Sequence, residues 1–308
     1  MEMAIEETMA TEKSMKKKRD RRFVTPKYVV FISIAFLAVI TQVPFVITLY
    51  FSTLDWNLLY PQLGKQFVGL SNYAHLFTDV LFYQAVWTTL KLSVIILSVS
   101  LVIGLLLATM LHRQFVGKTI VRNLLFAPFL VMTTVTALVW KNMMMDPSYG
   151  FIAALFKLLG MTPPDIIGNH PVATVVTVAV WSWTPFMMLI LHAALESIPE
   201  EVMEASRMDG AGRVTTFFHI VLPFLQQYVF ICVLLGSIMI IPLFGEIALI
   251  TAGGPGKVTT NLSYFVFEEA FHGYNLGSAS ASGVVASFIT MFFGSILIRM
   301  FQGRKGTA

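Results

Sequence analysis

Residues 204–223 read Glu204-Ala205-Ser206-Arg207-Met208-Asp209-Gly210-Ala211-Gly212-Arg213, then Val214-Thr215-Thr216-Phe217-Phe218-His219-Ile220-Val221-Leu222-Pro223. The stretch is polar, yet it lies between two apolar segments long enough to cross a bilayer. Its pattern predicts a short helix, a turn and a second short helix. Glu204, Ala205 and Met208 share one helical face, because positions i, i+1 and i+4 cluster. Gly210 can take the left-handed conformation that ends the first helix, and Asp209 precedes it. Ala211 and Gly212 keep the surface small, so a partner can approach closely. Leu222-Pro223 is expected to stop the second helix and open the next apolar segment.

The composition sets the solvent around this stretch. The chain has 308 residues, 56% hydrophobic and 12% charged, with a mean hydropathy of +0.75. That is too little charge for a soluble domain of this size. The expected fold class is therefore all-α integral membrane. A span needs roughly 20 apolar residues, and six are predicted: 28–51, 85–111, 120–143, 172–193, 224–248 and 278–300. Pro44, Pro128, Pro185 and Pro242 are read as lying inside spans, where neighbouring helices can satisfy the freed carbonyls. Residues 72–84 and 151–159 each look like a short interfacial helix.

The single cysteine, Cys232, excludes an internal disulfide and a thiolate metal cluster, and no metal site is expected. The sequence pI of about 9.1 could suggest nucleic acid, but the excess cations flank the spans, so orientation explains them and no nucleic-acid partner is expected. Sixteen Lys and Arg fall on the side of residues 1–27, the 204–223 loop and the 301–308 tail, against five on the other. By the positive-inside rule both termini and the polar loop are cytoplasmic. The segment Tyr28–Tyr50 is too long for the core of a cleavable signal, so it reads as the first span behind a retained basic tail.

Gly117-Lys118-Thr119 imitates the end of a phosphate-binding loop. His112 stands where that loop needs its first Gly, and no strand precedes it, so this chain is not expected to bind nucleotide. No cluster of His, Asp and Glu recurs at catalytic spacing, so an enzyme is not expected either. Polar groups inside spans are candidate functional groups. In the fifth span these are Gly236, Ser237 and Glu246. At 1.5 Å per residue from Pro223, Gly236 lies roughly 20 Å in and Glu246 about 35 Å in, which puts Glu246 at an interface or vestibule. In the fourth span, Ser182 and Trp183 stand out, since an indole stacks on the apolar face of a sugar and still donates its N–H. His192 and His219 sit at helix ends with structural roles.

The 204–223 stretch resembles the "EAA" loop of ABC importer permeases, Glu-Ala-Ala-x3-Gly-x9-Ile-x-Leu-Pro, with Ser206 in place of the second Ala. Phe67-Val68-Gly69-Leu70-Ser71-Asn72-Tyr73 resembles a segment of the carbohydrate-type permeases. Thr251-Ala252-Gly253-Gly254-Pro255 is similar to the "TGGGP" loop of the maltose-system F-like half, with Ala252 for the usual Gly. The resemblance covers about residues 28–300 and implies an ABC permease core with a coupling loop at 196–223, flanked by tails 1–27 and 301–308.

What the resemblance implies is a multi-pass permease of the bacterial inner membrane. It would import a carbohydrate or polyol-like solute by alternating access. Its partners would be a second, distinct permease, two ATP-binding cassette subunits that hold the ATP and Mg, and an extracytoplasmic solute-binding protein. Glu204, Ala205, Ser206, Met208, Asp209, Gly210 and Ala211 would couple to the ATPase. Ser182, Trp183, Gly236, Met239, Ile240 and Leu243 would line the solute path, with Ser237 and Glu246 beside it. Gly253, Gly254 and Pro255 would face the binding protein. Ile240 and Leu243 replace the polar amides of the maltose-type subunit, which either argues against maltose itself or leaves the polar contacts to the partner permease. An ion-gradient-driven secondary transporter is the alternative. It would need a mid-membrane carboxylate or broken-helix ion site, and no Asp lies in the six spans.

Overall fold

The computed structural model describes residues 27–305, so the basic cluster Lys16–Arg22 and most of both expected tails lie outside the described residues. The chain divides at Tyr50/Phe51 into two compact units. The first carries helix α1, Lys27–Phe51, a predominantly apolar helix of mean hydropathy 2.4 over Tyr28–Phe51 with Pro44 inside it.

The second unit begins with a two-stranded antiparallel hairpin, β1 (Leu54–Asp55) and β2 (Gln66–Phe67), which pairs Leu54 with Phe67. Lys65 Nζ stands 3.8 Å from the centre of the Trp56 ring. Helix α2 (Ser71–Leu76) is stitched to the hairpin by Asn72, whose amide donates to the carbonyls of Ser52 and Leu54. The expected helix over 72–84 is thus two pieces. Asp79 caps the N-terminus of α3 through the Leu81 N–H, and α3 already begins at Val80.

Helices α3 (Val80–His112) and α8 (Pro171–Glu196) form the packed centre of this unit. Leu92, Ile96, Met187, Met188 and Leu191 are fully buried between them. Before α8 come α4 (Lys118–Leu130), α5 (Thr133–Leu138, running into a π-helical turn to Met144), α6 (Phe151–Leu158) and α7 (Ile166–Asn169). After it come α9 (Glu200–Met208), α10 (Arg213–Thr216), α11 (Leu222–Ile240), α12 (Leu262–Phe267) and α13 (Leu276–Lys305). Among the described residues, five helices are long and apolar enough to cross a membrane, or six if the bent pair α4–α5 counts as one span.

Three expectations need correction. The third span is not continuous over 120–143: α4 and α5 meet at a 94° bend. Pro128 has no N–H for the Leu124 carbonyl, and Val131 N–H closes the last turn on the Pro128 carbonyl at 3.3 Å. Val131 and Met132 then go extended, with ψ of 131° and 137°.

The fifth span does not begin at Pro223. One helix runs from Arg213 to Ile240. A π turn at Phe217–Val221, in which Leu222 N–H reaches the Phe217 carbonyl, widens the helix just before the proline and lets it pass. Leu222-Pro223 therefore joins α10 to α11 rather than separating them.

The fifth span does not reach residue 248 as a helix either. Pro242 lies after its end, where the missing N–H and ring stop helical propagation. The chain turns through 241–246 and resumes as a π-helical turn, Ile247–Thr251. A distance of about 35 Å to Glu246 by helical rise therefore does not apply.

The two broken places meet. A side-chain carbon added to Gly245 would lie 2.8 Å from Thr133 Cγ2, so the turn after α11 packs on the start of α5. Lys141 Nζ donates to the Leu249 carbonyl at 2.9 Å, and the fully buried Asn261 amide donates to the Leu243 carbonyl. Two carbonyls at the second break, those of Leu243 and Leu249, are thereby paired, as an apolar surrounding requires.

Candidate functional site

Helix α9 opens with Glu200 and Glu201 in its first turn and closes with Arg207 in its last, both favourable to the helix dipole. It ends in a Schellman turn. Gly210 takes φ +76°, its N–H donates to the Arg207 carbonyl, and Ala211 N–H donates to the Ser206 carbonyl, each at 3.1 Å. Nothing stands within 4 Å of where a Gly210 side chain would be, so the glycine is there for its backbone angle.

The expected face is exposed. Glu204, Ala205 and Asp209 are open to solvent, and Met208 is 87% exposed. Ala211 is half-buried. Ser206 points the other way, 4% exposed, and shares a 2.8 Å hydrogen bond with the Thr216 hydroxyl. An alanine at 206 could not make this tie between α9 and α10, so the departure from the usual motif has a structural use.

Sequence reasoning missed a polar cross-brace at this end. Lys118, in the rejected phosphate-loop imitation, pairs with Glu196 at 3.3 Å. Glu196 Oε1 also lies 3.3 Å from Nε2 of the buried His192. The bond joins the start of α4 to the end of α8, just ahead of α9. A lone Lys at one helix start and a lone Glu at another helix end were the only signals, and they lie 78 residues apart.

The candidate path residues divide into two sets. Gly236, Ser237, Ile240 and Leu243 are buried within the chain, and Gly236 faces the end of the Met187 side chain and Leu97 Cδ2. Met239 of the same helix is exposed. Ser237 spends its hydroxyl on carbonyls of its own helix. Trp183 is part of a ring cluster with Phe129 and Phe186 at centroid distances of 5.8 and 6.3 Å. Ser182 Oγ is buried without a hydrogen-bond partner among the described residues, as are the hydroxyls of Thr136 and Thr184. Glu246 is 3% exposed, so it is buried rather than open to a vestibule, and it joins no ion pair among the described residues.

The turn after the second break is tightly wound. Ala252, Gly253, Gly256 and Lys257 all have positive φ, and the Gly254–Pro255 peptide is cis. Ala252 holds φ 48°, a conformation costing a non-glycine residue about 1–2 kcal/mol. Gly253 is buried and its carbonyl accepts from Thr259 N–H and the Thr260 hydroxyl. Gly254 is half-buried and Pro255 is exposed.

Against known proteins, residues 100–306 match the family model described as the binding-protein-dependent transport system inner membrane component. The chain is 30% identical over 292 residues to the probable ABC transporter permease protein y4oQ of Sinorhizobium fredii, covering 94% of each. It is 31% identical to the trehalose/maltose transport system permease protein MalF of Thermococcus litoralis, over 78% of this chain and 82% of that one. The sn-glycerol-3-phosphate transport system permease protein UgpA of Yersinia pestis is 32% identical with the same coverage. Among solved structures, a chain of the bacterial alginate ABC transporter, crystallised with an alginate pentasaccharide-bound periplasmic protein, superposes with a TM-score of 0.74 at 19% identity. The match covers 92% of this chain and 96% of that chain and shows a shared fold.

Proposed function

Since the chain belongs to the binding-protein-dependent transport system inner membrane components, we propose that it imports a carbohydrate or polyol-like solute as one of two distinct permeases around a common path. The permease role sets aside the ion-gradient alternative and any catalytic activity of this chain. Two ATP-binding cassette subunits, carrying the ATP and Mg, dock on the exposed face of α9 from the cytoplasm. A solute-binding protein meets the opposite end, where Pro255 is exposed. The excess of cations on the α9 side supports a cytoplasmic position for both termini. The solute class rests on the likeness to the trehalose/maltose and sn-glycerol-3-phosphate permeases.

One observation carries the mechanism. The loop from α9 continues without a break into the 28-residue helix Arg213–Ile240, a rod of about 42 Å. ATP-driven closure of the ATPase pair pushes on Glu204, Ala205 and Met208. The Gly210 turn and the Ser206–Thr216 bond pass that displacement to the rod. The rod swings on the turn at 241–246, and Met239 and the Ser182–Trp183 region see outside and inside in alternation.

The test is uptake by the reconstituted transporter of labelled trehalose, maltose, polyols and sn-glycerol 3-phosphate. Uptake of one of them should require ATP, both ATPase subunits and the binding protein. Uptake driven by an ion gradient without ATP would overturn the reading.

A further inference from the structure

Behind α9, on the side away from Glu204, Ala205 and Met208, lies a cavity of about 400 Å³. Its charged lining is Arg113 at the end of α3, Arg207 from α9 and Arg213 from α10, with His112 of α3 beside them. No described carboxylate lines it. None of the three arginines forms an ion pair among the described residues. Like charges gathered in one concavity concentrate anions there, and guanidinium groups suit phosphate oxygens in particular. The neighbouring cavity beyond Arg207 is different. It carries Glu196 and Glu200, and its Lys118 is already paired, which confines the anion site to the Arg113 side.

A second groove of about 300 Å³ opens beside the first, between the end of α3 and the start of α4. Leu107, Met110, Leu111, Val121 and Leu125 make it apolar, and Arg113 lines it as well as the basic cavity. A basic head site and an apolar slot thus share one side chain. A soluble anion would use the first and leave the second empty. An amphiphile with a phosphate head uses both. The pair lies where α3 and α8 end, at the level where spans leave the bilayer, and basic pockets between spans on that side suit anionic headgroups.

We infer that this is a binding site for an anionic phospholipid of the cytoplasmic leaflet. Its phosphate sits among Arg113, Arg207 and Arg213, and an acyl chain lies along the groove between α3 and α4. The leaflet rests on the orientation proposed above. Arg207 and Arg213 flank the Gly210 turn, so the lipid holds the loop that receives the ATPase and sets how firmly it moves with the rod.

The experiment is native mass spectrometry of the intact transporter, titrated with phosphatidylglycerol or with phosphatidylcholine of the same chains. The bound lipid is assigned to the permease released on activation. The wild type should retain phosphatidylglycerol preferentially, and Arg113→Gln should lose that preference several-fold. Millimolar inorganic phosphate should not displace the lipid. In vesicles, binding-protein-stimulated ATP hydrolysis should rise with phosphatidylglycerol in the wild type and stay flat in Arg113→Gln, with basal hydrolysis unchanged.

Equal occupancy by the two lipids, unchanged occupancy in Arg113→Gln, or the same lipid response in both proteins would overturn the assignment. Displacement by phosphate would make the occupant a soluble anion. Lipid occupancy is read by mass and does not depend on uptake, so failure of uptake in every lipid counts against the transport reading alone.

Discussion

The two ends of the rod Arg213–Ile240 are built oppositely. At the α9 end the chain turns in the open: Gly210 has no neighbour within 4 Å of its side-chain position, and Met208 projects into solvent. At the far end the turn is packed and tied. Gly245 abuts Thr133, the buried Asn261 amide binds the Leu243 carbonyl, and Lys141 binds the carbonyl of Leu249. A rod with one free end and one anchored end works as a lever. Displacement enters where the surface is open, and the anchored end supplies the fulcrum.

Substitutions at the two ends, and between them, should therefore fail in different ways. The largest effect is expected in the middle. Gly236 faces Met187 and Leu97, so Gly236→Trp overpacks the contact of α11 with α8 and α3, a change costing about 1–3 kcal/mol or more. The yield of assembled transporter should collapse, while Gly236→Ala is tolerated because the end of Met187 can rotate. If Gly236→Trp assembles normally and only uptake is lost, Gly236 borders an open path rather than a packed contact.

Gly210→Val comes next. A β-branched residue in the left-handed region is strained, yet nothing nearby clashes. The protein should insert and assemble with its stability little changed, while uptake and stimulated ATP hydrolysis are lost. Gly210→Asn should retain most of both, because Asn visits that conformation. Equal loss in the two variants would mean that the backbone angle is not what matters.

At the anchored end, Asn261→Ala removes both the amide that satisfies Leu243 and the cap that Tyr264 N–H uses. A loss of about 1–3 kcal/mol of stability is expected, seen as a lowered Tm of the detergent-solubilised complex. Docking of the ATPase should be unchanged. A normal Tm would show that the fulcrum is held elsewhere.

The smallest effect belongs to Ser182→Ala. The hydroxyl has no partner among the described residues, so stability should not fall. If the hydroxyl meets the solute, the apparent KM should rise about threefold to tenfold, the worth of one hydrogen bond. An unchanged KM removes Ser182 from the path.

The open end was legible in the sequence and the anchored end was not. The pattern Glu204 to Gly210 encodes a helix stop locally, and the structure places the left-handed residue at the predicted position. Span boundaries at α3, α8 and α13 followed from hydropathy, because apolar length is itself a local property. The breaks at 131–132 and 241–246 lie inside apolar runs. Pro128 and Pro242 were their only marks, and a membrane helix can carry a proline unbroken, as α8 does at Pro185. What decides between kink and break is the supply of partners for the freed backbone. Those partners come from far along the chain, as with Lys141 and Leu249, 108 residues apart. The burial of Gly236 escaped for the same reason, since the identity of its neighbours depends on how α11 crosses α8 and α3.

The most direct test of the lever uses the contrast in exposure between Met208 and the chain's one cysteine. Cys232 is buried, so Met208→Cys places a single accessible thiol among the described residues on α9, across the Gly210 turn from the free end of the rod. In the assembled transporter a maleimide carrying a photoactivatable diazirine, attached to this thiol and then irradiated, should join it to an ATPase subunit and stop uptake. In whole cells a membrane-impermeant maleimide should leave it unlabelled. Labelling from outside the cell, or no adduct with the ATPase in a complex that still transports, would contradict the account.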